Sequence, residues 1–473
     1  MSSNSTTLPS IKPPGAPGFA AVTQDQADAT NPGRRITLYL VLAFIFLRVS
    51  DIHELLTTKL GFNSYILLIV GVPAILGVIL NGAIRRTLRL RAGRYWLALF
   101  GWMLLAVPFS TWRGGSLSLV ETYGRTEFGV LFMLGGIPIL WSEYRSVLYT
   151  LAFGSAVCVV IGKFFMISDY GGERMSLAFG SIANSNDFAA HLLFALPFLL
   201  FLILSPRTWR IFRVVSALTL LYGLYLVLDT ASRGALVALG VVVLYVFWQA
   251  SMQVRIAMLV GLPIIALLAV AVLPGGALLR LQTFTTSGKD AASLEAAESA
   301  RVRRYEFDTS VRYTLQHPLF GVGPGQFSTY EGQTERVIGE HGTWLQTHSV
   351  LTQISSECGI PAFLLFVAAI VSTFLLILRV QKKARIYGLR EISMAAFCLG
   401  MSMIGFLSAD LFLNLAYRFY FPALTGLAIA LYSSVENQIG AVKPMPMMAP
   451  APAVPVPATA SAPSRKYRFG RLR

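Results

Sequence analysis

Apolar segments of about 20 residues recur along most of this 473-residue chain. A helix of that length crosses the hydrocarbon core of a bilayer and satisfies its backbone hydrogen bonds internally, where no water is available. Only 13% of the residues are charged, compared with roughly a quarter in soluble domains. The sequence therefore predicts an all-α polytopic membrane protein.

We predict twelve transmembrane helices with both termini in the cytoplasm. The first is the apolar run 36–49, which directly follows Arg34 and Arg35. The others are expected at about 64–83, 95–110, 126–141, 147–168, 187–205, 212–228, 234–250, 255–273, 349–378, 391–414 and 419–435. The polar segment 1–33 and the Pro/Ala-rich segment 436–473 are predicted to be disordered cytoplasmic tails. The basic end of the second tail is suited to rest on anionic lipid.

The distribution of cationic residues supports this topology. The predicted cytoplasmic loops hold three clusters, namely Arg85 to Arg94, Arg207 to Arg213 and Arg379 to Arg390, whereas the short outer loops contain few cations. This is the positive-inside pattern. The formal net charge of +16 therefore reflects membrane topology rather than nucleic-acid binding. The three cysteines are scattered and are predicted to be packing residues.

One long polar stretch interrupts the apolar pattern. Residues 274–348 lie between the predicted helices 1–9, at 34–273, and the predicted helices 10–12, at 349–435. The predicted topology places this stretch in the periplasm. A membrane protein spends few residues on long polar loops unless the loop has a function, so we expect the functional site here.

Several arginines lie on the predicted outer face, where the positive-inside rule disfavours them. They are Arg174, Arg233, Arg301, Arg303, Arg304 and Arg312. The planar guanidinium group binds phosphate oxygens in pairs, so the pattern predicts a phosphate or pyrophosphate ligand near the membrane surface, with Asn186 as a further candidate contact. Two structural alternatives remain open: Arg233 could cap a helix or extend to the interface, and Asn186 with Asp187 could cap the sixth span.

Helical periodicity separates the loop arginines. A helix over 301–316 would place Phe307, Val311 and Leu315 in one apolar stripe. Arg303 would lie on that side, which we expect to be buried, whereas Arg301 would point away. Arg303 is therefore the preferred phosphate-binding residue.

His348 is the candidate general base. It precedes the tenth predicted span, where it would share a polar helix face with Thr352 and Ser355. A neutral imidazole can take a proton from an attacking hydroxyl, although a structural role is the alternative. Metal binding is disfavoured because the histidines lack the usual ligand spacing. Gly359 and Pro361 predict a break between this segment and the membrane span.

Four blocks resemble the signature of the O-antigen ligase and O-antigen polymerase superfamily. They are RMSLAFGSIANSNDFAAHL, LDTASRGALVAL, HPLFGVGPGQF and THSVLTQISSECGIPAFLLF, in this order over roughly 170–370. The resemblance implies a fold of the C-type glycosyltransferase kind with a large periplasmic loop, an undecaprenyl-pyrophosphate-linked glycan donor, and no metal or other cofactor.

The resemblance also implies roles for individual residues. Arg233 and Arg303 would hold the pyrophosphate, and His348 would activate the acceptor hydroxyl. The family usually has an aromatic residue such as Trp after the loop arginine; here Phe307 stands in that place, amid extra arginines. The choice among Arg301, Arg303 and Arg304 therefore stays open on the resemblance alone.

The function predicted from these observations is metal-independent, inverting glycosyl transfer at the outer face of the bacterial inner membrane. An O-antigen ligase acting on a lipid A core acceptor is preferred. A polymerase of O-antigen or exopolysaccharide and a protein O-oligosaccharyltransferase are alternatives with the same donor. A transporter or flippase of lipid-linked glycan or anions is the alternative from another class. A transporter should carry ionisable or helix-breaking residues near the membrane midplane in both halves, whereas the predicted spans here are mostly apolar.

Overall fold

The computed structural model describes residues 30–168, 174–272, 275, 291–337 and 344–442. Most of the two predicted tails lies outside these residues, as do His341 and part of the predicted loop 274–348. The described chain is predominantly helical. A short antiparallel hairpin joins β1 (Met166–Ser168) to β2 (Met175–Leu177), with Ile167 opposite Ser176.

The helices follow one another with short connections. The first group is α1 Pro32–Ser50, α2 Ile52–Leu60, α3 Ile66–Leu80, α4 Ala83–Leu88, α5 Arg91–Ala106, α6 Arg113–Thr122, α7 Gly129–Gly136 and α8 Trp141–Phe165. A 3-10 turn, Val107–Phe109, extends α5, and a π-helical turn, Tyr123–Phe128, joins α6 to α7. The second group is α9 Ser185–Leu204, α10 Arg210–Asp229, α11 Arg233–Gln249, α12 Met252–Val272, α13 Ala291–Gln316, α14 Phe327–Val337, α15 Val350–Ile386, α16 Arg390–Asp410 and α17 Tyr420–Val442.

Six of the described helices are long and apolar enough to span a membrane, and a seventh span results if α1 and α2, bent by 70°, count as one. Three shorter apolar helices accompany them. Each of the twelve predicted spans overlaps a described helix. The all-α polytopic class is confirmed, whereas twelve spans and a periplasmic loop stay predictions.

Helix α9 lies at the centre of the bundle and packs against α8, α10 and α16. It is apolar around its whole circumference, as expected of a helix buried on all sides. Phe194 illustrates this packing, because its ring contacts the rings of Phe406 and Tyr420. The predicted packing role of the cysteines is confirmed, since Cys158, Cys358 and Cys398 are each buried and free.

Helix α15 breaks at Gly359, as the sequence predicts. Gly359 has φ 83° and ψ 174°, which separates an initial segment of α15 from the long apolar helix that follows. A Cβ at this position would lie 2.1 Å from the carbonyl oxygen of Leu319. Glycine is therefore required both by the backbone conformation and by the close approach of the polar stretch.

The segment 318–326 of the polar stretch binds to this break through its backbone. The N–H of Val322 donates to the carbonyl of Ser356 at 2.9 Å, and the N–H of Gly323 donates to the carbonyl of Glu357 at 3.0 Å. The Glu357 carboxylate accepts from the N–H of Gly325 at 2.9 Å. The polar stretch is thus attached to the helix that begins directly after His348.

Candidate active site

His348 and Glu306 form a hydrogen-bonded pair between the start of α15 and helix α13. Nδ1 of His348 lies 2.5 Å from Oε2 of Glu306, and the two side chains are 34% and 1% exposed. A carboxylate only accepts hydrogen bonds, so Nδ1 of the ring carries the proton. Nε2 of the neutral ring then holds the lone pair that a general base requires.

Glu306 was not among the residues predicted from the sequence, although it is the partner of His348. The sequence contained one hint of this role. Glu306 follows Arg303 by three residues, so on a helix the two side chains share one face with Cβ atoms about 5–6 Å apart. The other oxygen of Glu306, Oε1, is buried and has no hydrogen-bond partner among the described residues. The carboxylate therefore makes its polar contact with the imidazole.

Arg303 lines a small pocket where α9, α11 and α13 meet. The pocket is also lined by Asn186 at the start of α9 and by Ser232 and Gly234 at the start of α11. Two helices thus begin at this pocket, and helix N-termini carry partial positive charge that favours anions. The geometry joins two sequence-predicted residues, Arg303 and Asn186, in an environment suited to a phosphate group.

Arg303 was preferred because the apolar stripe beside it was expected to be the buried side of the helix, and this expectation is wrong. Phe307, Val311 and Leu315 are 50%, 38% and 71% exposed, so their stripe is not the buried side of α13. The buried side is formed by Glu306, Thr309, Ser310 and Tyr313. Arg303 reaches the pocket because it lies one turn before Glu306, on the side that packs against the bundle.

Arg301 lies on the solvent side of the same helix. Its side chain is 78% exposed and forms an ion pair with Glu298 at 2.8 Å. Arg304 is also exposed, whereas Arg303 is half-buried. Among the three arginines that the sequence left open, the geometry favours Arg303.

Arg174 and Asn186, two further predicted residues, contact each other directly. Nη2 of Arg174 donates to Oδ1 of Asn186 at 2.8 Å. The alternative that Asn186 caps the helix is wrong, because Asn184 is the N-cap and accepts from the N–H of Asn186 at 2.8 Å. The Asn186 side chain is thus directed to Arg174 and to the Arg303 pocket.

Arg233 is the first residue of α11. The N-cap of this helix is Ser232, whose hydroxyl accepts from the N–H of Ala235 at 3.3 Å. The cap is therefore provided without the Arg233 side chain. Arg233 is half-buried and lies between Ser232 and Gly234, both of which line the pocket.

Asp187 connects the pocket to the histidine. Its carboxylate interacts electrostatically with both His348 and Arg418. Arg418 lies between α16 and α17, in a short connection where sequence analysis had no signal to single it out. The histidine, Asp187 and the Arg303 pocket therefore belong to one polar region.

A second polar pocket adjoins this region and also contains Arg418. Possible ligand atoms of Asp51, His53 and Glu54 lie within 4.8 Å of one another there. Arg48 and Arg418 line the same pocket. These two positive charges disfavour a cation at the ligand atoms, and Arg48 itself is ion-paired with Glu127.

A hydrogen-bonded network secures the chain ahead of His348. Tyr305 donates to Oε1 of Glu331 at 3.1 Å, and the N–H of Trp344 donates to Oε2 at 3.0 Å. Burial, together with the negative charge of Glu331, raises the pKa of Tyr305 to about 12. Tyr305 therefore stays a hydrogen-bond donor at neutral pH and helps to hold the segment that carries His348.

The fold and this region define an integral membrane protein with an arginine-lined pocket near a histidine–carboxylate pair. A family model described as O-Antigen ligase matches residues 218–367, a stretch that contains Arg233, Arg303, Glu306 and His348. The match covers about a third of the chain and supports the resemblance to the O-antigen ligase superfamily seen in the sequence. A search of curated proteins found no match.

Proposed function

We propose that the protein transfers a glycan from undecaprenyl pyrophosphate to a sugar hydroxyl of lipid A core at the periplasmic face of the inner membrane. The family match supports a function of the O-antigen ligase or polymerase type. The observation that carries the proposal is the position of Arg303 and Glu306 one turn apart on α13. The arginine that lines the pocket and the carboxylate that contacts His348 are thus adjacent on one side of α13, which supports a donor site close to the histidine.

Donor binding is assigned to the arginines. Arg303 and Arg233 would hold the pyrophosphate, and Arg174 would act with Asn186, to which it is hydrogen-bonded. The positive ends of α9 and α11 add to this field. A preorganised hydrogen-bond donor to developing negative charge typically accelerates a reaction by about 10²–10³-fold. The arginines would therefore stabilise the departing pyrophosphate as an anion, and no general acid would be needed to protonate it.

The acceptor step is assigned to His348. Nε2 takes the proton of the acceptor hydroxyl while the hydroxyl oxygen forms a bond to the anomeric carbon of the donor sugar. The bond from that carbon to the phosphate oxygen breaks, and undecaprenyl pyrophosphate leaves as an anion. Attack opposite the leaving group inverts the anomeric configuration, and the Glu306 carboxylate stabilises the imidazolium that forms.

Reconstitution tests this function. The purified protein is placed in proteoliposomes with lipid-linked glycan and purified lipid A core, and the His348→Ala variant serves as control. Transfer of glycan to lipid A core by the wild type, but not by the His348→Ala variant, would support the ligase function. Chain growth on the lipid-linked donor would instead identify a polymerase, and donor crossing the membrane without transfer would identify a transporter.

A deletion strain provides an independent test of the acceptor. A ligase deletion should accumulate lipid-linked polymer that is not attached to lipid A core. Accumulation of single lipid-linked repeat units would contradict the ligase assignment and point to a polymerase.

A further inference from the structure

A cavity of ≈ 710 Å³ lies between α5 and α15, apart from the candidate active site. Four arginines line it: Arg89, Arg91, Arg94 and Arg379. Its volume falls within the range of roughly 300–1,000 Å³ that is usual for ligand pockets.

The position of Arg379 along α15 locates the cavity relative to the membrane. Gly359 and Arg379 are 20 residues apart (379 − 359), which corresponds to about 30 Å of helix. The hydrocarbon core of a bilayer is also about 30 Å thick. Because the polar stretch binds at Gly359, the arginines lie at the opposite membrane face, which the positive-inside pattern predicts to be cytoplasmic.

The lining is basic at one end and apolar along the helix. Val371 and Leu375 line the cavity from α15, and their side chains are 49% and 44% exposed. The described residues that line the cavity include no carboxylate. The cavity therefore combines positive charge with an apolar wall.

We propose that this cavity binds an anionic phospholipid from the leaflet opposite the candidate active site. The phosphate would lie among the arginines, and an acyl chain would lie along Val371 and Leu375. Basic pockets between membrane helices bind anionic headgroups in this way. A free phosphate ion would use only the arginines and leave the apolar wall without a partner, so the lipid fits the whole cavity.

The proposal is tested by lipid binding to the purified full-length protein in uncharged detergent. Native mass spectrometry and thermal unfolding are recorded with phosphatidylglycerol, with phosphatidylcholine and with inorganic phosphate. Phosphatidylglycerol should stay bound and raise the unfolding temperature, with an effect that weakens at high salt. An equal shift with inorganic phosphate or with phosphatidylcholine would overturn the proposal.

A matched pair of double variants separates the cavity from general surface charge. Arg91→Gln with Arg379→Gln removes two charges from the lining, whereas Arg85→Gln with Lys382→Gln removes two exposed charges adjacent in sequence to it. The first pair should weaken phosphatidylglycerol binding roughly 10- to 100-fold, and the second should change it little. Equal effects of both pairs would refute a specific site.

A third variant keeps every charge and fills the apolar wall. Leu375→Trp should reduce lipid retention while leaving the arginines in place. Should the arginine double variant unfold, this variant alone still tests the proposal, and unchanged lipid retention in it would overturn the assigned acyl-chain position. These measurements require no glycan donor, so they are independent of the proposed transfer reaction.

Discussion

Glu306 is expected to act on catalysis through His348. The sharpest perturbation is Glu306→Gln, which keeps the shape of the side chain and removes its charge. Glu306 is 1% exposed and its Oε2 lies 2.5 Å from Nδ1 of His348, so the new amide would occupy the same buried position. We expect slower transfer with unchanged donor binding, because the pyrophosphate is assigned to the arginines.

The size of the effect follows from the hydrogen bond that is weakened. A hydrogen bond to a charged group contributes about 1.5–3 kcal/mol. At about 1.36 kcal/mol for each factor of ten, kcat should fall roughly 10- to 150-fold. Removing the base itself in His348→Ala should cost roughly 10²–10⁴-fold, so the Glu306 variant should be the milder of the two.

Single-turnover transfer with purified protein and fluorescent lipid-linked donor measures both variants, and donor binding is measured separately. The control is Glu298→Gln, which removes an exposed acid from the same helix and should leave the rate unchanged. The double variant of His348→Ala and Glu306→Gln should be no slower than His348→Ala, because Glu306 acts through the imidazole. A further loss in the double variant, or a wild-type rate in Glu306→Gln, would refute the positioning role.

Three further predictions follow from the geometry. Arg233→Ala and Arg303→Ala should each lower kcat/KM about 100-fold. Substitution by Lys should restore little activity, because a point charge cannot replace the planar guanidinium group. Near-normal activity of both Lys variants in the reconstituted assay would contradict pyrophosphate binding by these arginines. Arg301→Ala should retain activity within about twofold, since this residue is an exposed ion-pair partner, and a large loss would move the phosphate site to the solvent side of α13. Gly359→Ala should lower the free energy of unfolding by at least about 1–3 kcal/mol, measured by thermal unfolding in detergent. Gly388→Ala, at φ 69° but in open space, is its control and should show the backbone strain without the clash.

The positions of the helices could be predicted because a bilayer requires long apolar segments, which the sequence displays directly. The break in α15 could be predicted from Gly359 and Pro361, since both residue types interrupt a helix locally. In each case the physical requirement is local or is imposed by the membrane.

The buried side of α13 could not be predicted from periodicity. In a soluble protein an apolar stripe such as Phe307, Val311 and Leu315 must face the core, but a membrane protein also offers lipid as an apolar surrounding. The pairing of His348 with Glu306 was equally inaccessible, because it joins residues 42 positions apart across the polar stretch. No local pattern in the sequence records which carboxylate of that stretch meets the histidine.

The joint between segment 318–326 and α15 consists largely of backbone hydrogen bonds, which do not depend on side-chain identity. Such a joint holds its geometry while the outward-facing side chains around it are exchanged, provided that the glycines at the close approaches are kept. Side-chain substitutions on this surface are therefore expected to leave the position of His348 unchanged.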